Sequence, residues 1–171
     1  MDLEERVVKL EAAVARLAAE SAGHGNTDGV GDSKQDGDSQ LWYLEELERR
    51  HPEGAVAFTG SVEVPGQGTA RWQYGLTSER LAEADWSAYA TQLDALGHPV
   101  RLTLLQLIHN GVRSTAELAA QEDLGTTGQL HHHLRVLINA GWLVSTGRGH
   151  YEIPATRVVP LLAIILAARP A

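Results

Sequence analysis

The residues best equipped for chemistry lie close together: Thr126-Thr127-Gly128-Gln129-Leu130-His131-His132-His133-Leu134-Arg135, with Arg148 a little downstream. Three adjacent histidines first point to a metal ion. On a helix, consecutive side chains diverge by about 100°, so neighbours cannot grip one ion together. The positions one turn on are Arg135, Val136 and Leu137, none of them a His, Asp or Glu partner. The chain has no cysteine, which removes thiolate metal sites, disulfides and cysteine nucleophiles at once. Asp28, Asp32, Asp36 and Asp38 lack the spacing and closing Glu of a calcium loop. There is no Gly-x-Ser-x-Gly elbow or phosphate loop, and the acidic residues form no convincing pair with a histidine. No enzyme, metal site or cofactor is therefore expected. The chemistry open to this stretch is hydrogen bonding to a polymer: Gln to adenine, Thr against a thymine methyl group, Arg to a base edge or a phosphate.

Such contacts need a rigid helix. Leu130, Leu134, Leu137 and Ile138 share one face, the core side. Gly128, His132, Arg135 and Asn139 point the opposite way, with His131 and His133 on the flanks. Thr126-x-x-Gln129 is a capping box that opens this helix, Gly141 closes it, and Ser114-x-x-Glu117 opens a shorter helix before it. Two short helices joined by residues 121–125 make a helix-turn-helix. Residues at the start of its second helix reach base edges, so Thr126, Thr127, Gln129, His131, His132 and Arg135 are the candidate DNA contacts on a recognition helix of about residues 127–140. Upstream, Asp85 can cap a helix with Trp86, Tyr89, Leu93 and Leu96. Gly97-His98-Pro99 breaks the chain, and Pro99 starts another with Leu102, Leu105 and Ile108. Downstream, residues 142–153 read as two strands around a Gly147-Arg148-Gly149 tip, a wing whose Arg148 is a candidate for phosphate or the minor groove. Arg157 to Ala168 is an apolar helix over nearly its whole circumference. It needs partners on more than one side, and a second subunit is the natural one.

The rest of the chain differs in character. The net charge is -8, divided unevenly: 8 Lys and Arg against 17 Asp and Glu in residues 1–92, but 6 against 5 in residues 93–171, which also hold six of the eight histidines. The acidity thus belongs to the N-terminal half, and the C-terminal half is only weakly basic for a DNA binder. In residues 1–21, Leu3, Val7, Leu10, Val14 and Leu17 follow the heptad spacing of a short coiled coil; the same pattern serves an amphipathic helix packed on its own domain. Residues 22–40, rich in Gly, Asp and Ser, read as a flexible linker. Residues 41–84 read as a small module: a helix ending before Pro52, then a hairpin in which Val56, Phe58, Val62 and Val64 alternate, Pro65-Gly66-Gln67-Gly68 turns, and Ala70, Trp72, Tyr74 and Leu76 alternate back. Seven of the nine aromatics fall between residues 42 and 89. They form either the core of this module or an effector pocket lined by Trp42, Phe58, Trp72, Tyr74 and Trp86. Residues 85–171 form the last module. The chain has no run of 18 apolar residues and an acidic, charged start unlike a signal peptide, so a cytoplasmic protein off the membrane is expected.

The segment Leu93 to Leu166 resembles the ArsR-like family of winged helix-turn-helix transcriptional regulators. The residues that carry it are Leu96-Gly97-His98-Pro99-Val100-Arg101-Leu102 with Leu104-Leu105, Ser114-Thr115-Ala116-Glu117-Leu118-Ala119, His132-His133-Leu134-Arg135-Val136-Leu137, Ala140-Gly141-Trp142-Leu143-Val144 and Gly149-His150-Tyr151. The resemblance covers under half the chain. It implies a mainly α fold with small β hairpins and a symmetric dimer on double-stranded DNA. The helix before the His98-Pro99 turn and the C-terminal helix would hold the dimer, here through Tyr89, Leu93, Leu161, Leu162 and Ile165. It also implies a structural role for His133 beside the core. Many members release DNA on binding a metal. The thiolates for that are missing here, and the C-terminal helix has no Asp, Glu or His, so a non-metal effector or none is expected. The N-terminal heptads could join dimers into a tetramer. The alternative reading is a winged-helix module that binds a protein partner, favoured by the acidic N-terminal half and the weakly basic recognition face.

Overall fold

The computed structural model describes residues 41–121 and 124–169. The expected N-terminal helix and linker, with Leu3, Val7, Leu10, Val14 and Leu17, lie outside them. From Trp42 onward the chain forms one compact unit of mixed α and β structure. Helix α1 (Trp42–Arg50) leads into strands β1 (Ala55–Val64) and β2 (Gly68–Thr77). These pair antiparallel without a break from Ala55 opposite Thr77 to Val64 opposite Gly68. Helix α2 (Ser78–Glu83) follows, capped by Thr77, and then a single 3-10 turn, Trp86–Tyr89, capped by Asp85. Helices α3 (Ala90–Leu96), α4 (Pro99–His109), α5 (Thr115–Ala119) and α6 (Thr127–Asn139) come next, then a short antiparallel pair, β3 (Val144–Gly147) and β4 (His150–Glu152), and last α7 (Ala155–Ala167). The order α4, α5, α6, β3, β4, α7 is compatible with a winged-helix-like α+β arrangement. Among the described residues no helix is long and apolar enough to cross a membrane.

Local signals place the boundaries. His98 is the N-cap of α4, its Nδ1 accepting from the Val100 amide, and Pro99 occupies the first helical position where its missing N–H costs nothing. Arg101 reaches back to donate to the Asp94 and Ala95 carbonyls, satisfying the last turn of α3. Both capping boxes form: Ser114 with Glu117 on α5, Thr126 with Gln129 on α6.

The core draws on every helix from α3 onward and on β4. Leu104, Leu105 and Ile108 of α4, Leu118 of α5, and Leu130, Leu134 and Leu137 of α6 are almost wholly buried with Trp142, Leu143 and Val158. Each such side chain contributes roughly 1.5–3 kcal/mol of burial. The β1–β2 hairpin is part of the same structure. Val64 and Ala70 join the same buried cluster, and Gly60 lies so close to α7 that a Cβ there would come within 2.7 Å of Val159 Cγ1. The division expected between residues 41–84 and 85–171 is therefore not a division between cores. The reason is α7. Its apolar circumference calls for two partners, and the chain supplies both, with Val158 and Leu161 turned to the helical core and Val159 to the hairpin. Within α7, Pro160 has no amide to donate to the Thr156 carbonyl.

Candidate nucleic-acid interface

Helix α6 presents the face expected of it. Leu130, Leu134 and Leu137 are buried, while Thr126, Thr127, Gln129, His131, His132 and Arg135 are all exposed. They do not have equal freedom. Gln129 Oε1 accepts from the Thr126 amide at 2.8 Å and from the Thr126 hydroxyl at 3.2 Å, and Thr126 Oγ1 in turn accepts from the Gln129 amide. A glutamine that reads adenine needs its carbonyl oxygen for the base, so Gln129 can do so only by giving up the cap. Thr127, His131, His132 and Arg135 make no such local side-chain bonds among the described residues.

His133 turns inward. Its ring packs on that of His98 with centroids 4.7 Å apart and meets His132 edge-on at 5.6 Å. Its Nδ1 is buried and has no hydrogen-bond partner among the described residues. Burial first, then the charges of His98, His132 and Arg101, hold its pKa below the usual histidine value. The neutral ring braces α6 against the start of α4. Among the described residues, no three His, Asp or Glu side chains are placed to share a metal ion.

The β3–β4 hairpin is fastened to the start of α5. The Thr115 amide and hydroxyl both donate to the Gly149 carbonyl, and the Tyr151 amide donates to the Arg113 carbonyl. Gly149 takes a left-handed φ of 72° at the tip, a conformation that glycine adopts without strain. Tyr151 is buried, whereas Arg148 at the tip and all four residues of β3 are exposed. Arg148 is thus held out from the surface on an anchored base. Arg113, a residue that sequence reasoning passed over, ties the two hairpins together. Its guanidinium bonds the Pro65 carbonyl in the β1–β2 turn and lies 3.4 Å from Glu152 of β4. No periodicity could have flagged it, because its partners are 48 and 39 residues away.

The other expected sites fare unevenly. Of the residues expected to dimerise, Tyr89, Leu93 and Ile165 are exposed and Leu162 partly so, but Leu161 is buried in the chain's own core and is not available to a partner. The five-aromatic pocket does not form. Phe58, Trp72 and Tyr74 line a groove with Tyr89, Leu93 and Pro160 on the α7 side of the hairpin. Trp42 stands over the other face of the hairpin. Trp86 is exposed, its indole donating to the Leu81 carbonyl. Alternation along the strands puts Phe58, Trp72 and Tyr74 on one face of the hairpin, while helix α1 carries Trp42 over the other and the 3-10 turn holds Trp86 apart, a distinction that their clustering in sequence hides. No family model, curated protein or solved structure matches this chain.

Proposed function

We propose that the chain is a transcriptional regulator of the ArsR-like winged helix-turn-helix type, which binds double-stranded DNA as a symmetric dimer. α6 would enter the major groove, Arg148 would meet the adjacent backbone or minor groove, and metal–thiolate chemistry would have no part in its control. The observation that carries this reading is the pairing of two exposed features on one buttressed frame. They are the Thr127, His131, His132 and Arg135 face of α6 and the Arg148 tip of β3–β4, each anchored by its own buried residues. Exposed Tyr89, Leu93 and Ile165 supply apolar surface for the dimer. A second reading, a winged-helix module that regulates transcription through a protein partner, draws support from the small charge of the α6 face. Arg135 is its only arginine or lysine. Fluorescence anisotropy against the promoter region of the protein's own gene, at several salt concentrations, tests the first reading. Salt-dependent binding is expected, and no binding to any duplex at low salt would overturn it. A stoichiometric protein partner lost on His132→Ala would then favour the second.

A further inference from the structure

Helix α1 lies loosely over one face of the β1–β2 hairpin. None of its nine residues is buried, although Tyr43, Glu46 and Leu47 turn toward the hairpin and are partly covered. The strand face beneath α1 explains the gap. At its centre Ala57 is paired with Gly75, beside Thr59 paired with Gln73, and the small Ala57–Gly75 pair leaves space that the α1 side chains do not fill. The opposite face of the same hairpin carries Phe58, Val62, Val64 and Trp72 and packs on the rest of the protein. A cleft of about 500 Å³ remains between α1 and the small-residue face, within the range that takes a small organic molecule.

Charge narrows what could fill it. The Glu46 carboxylate is held by Arg49 and Arg50, at 2.7 Å and 2.5 Å. Arg80 on α2 lines the rim of the cleft, and its guanidinium makes no hydrogen bond or ion pair with any described residue. The cleft therefore has a small-residue floor at Ala57 and Gly75 flanked by polar Thr59 and Gln73, and aromatic side chains at its mouth (Trp42 and Tyr43, ring centroids 5.6 Å apart); Arg50 is engaged by Glu46 and His51 by Glu53, which leaves Arg80 as its uncommitted cation among the described residues. An anionic group on that cation gains a charge-assisted, bidentate contact, and a planar ring matches the floor.

We propose that this cleft binds a small planar aromatic carboxylate, with its ring between Tyr43 and Leu47 of α1 and the Ala57–Gly75 floor and its carboxylate on Arg80. The proposal rests on the hairpin half of the chain and is independent of what α6 binds. Isothermal titration calorimetry of the full chain, without DNA, compares 2-naphthoate with its neutral analogue 2-naphthalenemethanol. One naphthoate per chain is expected, bound about ten-fold tighter than the alcohol. Arg80→Gln, an exposed change that leaves the fold intact, should bring the two ligands together in affinity. Ala57→Leu fills the floor and should abolish both, with circular dichroism and the melting transition showing that the variant stays folded. No naphthoate binding at millimolar concentration overturns the proposal. So does binding that a folded Ala57→Leu variant leaves unchanged, or a preference for the carboxylate that survives Arg80→Gln.

Discussion

The two hairpins of this protein are both antiparallel pairs, but they differ in build and in use. β1–β2 pairs ten residues on each strand in unbroken register and lays one face against α7, with Val64 and Ala70 in the common core. β3–β4 is short and bulged near its end, and of its strand residues only Tyr151 is buried. One is a wall and the other a lever with a fixed end. A strand pair stabilises a domain through the side chains it buries. The second hairpin, with little buried, is held by one ring, a few hydrogen bonds to its base and the Arg113–Glu152 ion pair, and that leaves its tip free to meet another molecule.

The comparison can be tested from its most drastic consequence downward. Tyr151→Ala should remove the anchor of the short hairpin and lower stability by about 3 kcal/mol, measured by urea unfolding. A change well below 1 kcal/mol would mean that the backbone bonds alone hold the wing. Gly60→Val drives a branched side chain into Val159 and should cost about 2 kcal/mol. Because the long hairpin shares the core, fluorescence and circular dichroism should still follow a single transition, and two separate transitions would restore the hairpin as an independent module. Ser114→Ala breaks the capping box next to the wing's attachment and should cost about 1 kcal/mol. The pH dependence comes next. The folded protein holds His133 below its unfolded pKa, so its contribution is complete above about pH 6.5 and is lost as pH falls toward the folded value. His133→Leu should therefore show a flatter fall in melting temperature between about pH 7 and pH 5, and an unchanged slope would remove His133 as the cause. Arg148→Ala should be smallest for stability, within about 0.5 kcal/mol, while weakening DNA binding.

Much of this fold is legible in the residues because capping and turn signals act over a few positions. Asp85, His98-Pro99, Ser114 with Glu117, Thr126 with Gln129 and Gly141 mark helix ends within a residue or two, and Pro65 to Gly68 marks the long hairpin's turn. Long-range partners are less legible. The apolar circumference of α7 announces that it must be covered, but either a second subunit or the β1–β2 hairpin satisfies that demand, and only the close approach of Gly60 to Val159 decides for the hairpin on that side. The aromatic cluster misleads in a similar way. Trp42 and Trp72 belong to one stretch of sequence, yet strand alternation and the placement of α1 set them on opposite faces. On α6 the inward and outward faces follow from helical spacing, and the engagement of Gln129 in the cap follows from its place three residues after Thr126.

The most direct test of the central claim, that the α6 face and the β3–β4 tip together contact duplex DNA, is the salt dependence of binding for the wild type beside Arg135→Ala and Arg148→Ala. Anisotropy titrations across a range of salt concentrations give the slope of log affinity against log salt. Each substitution should weaken binding at every salt concentration and reduce the slope by about 1 for each phosphate contact removed, with melting temperatures unchanged. Unchanged affinity and slope in both variants, with wild-type binding intact, would place DNA on another surface and contradict the account.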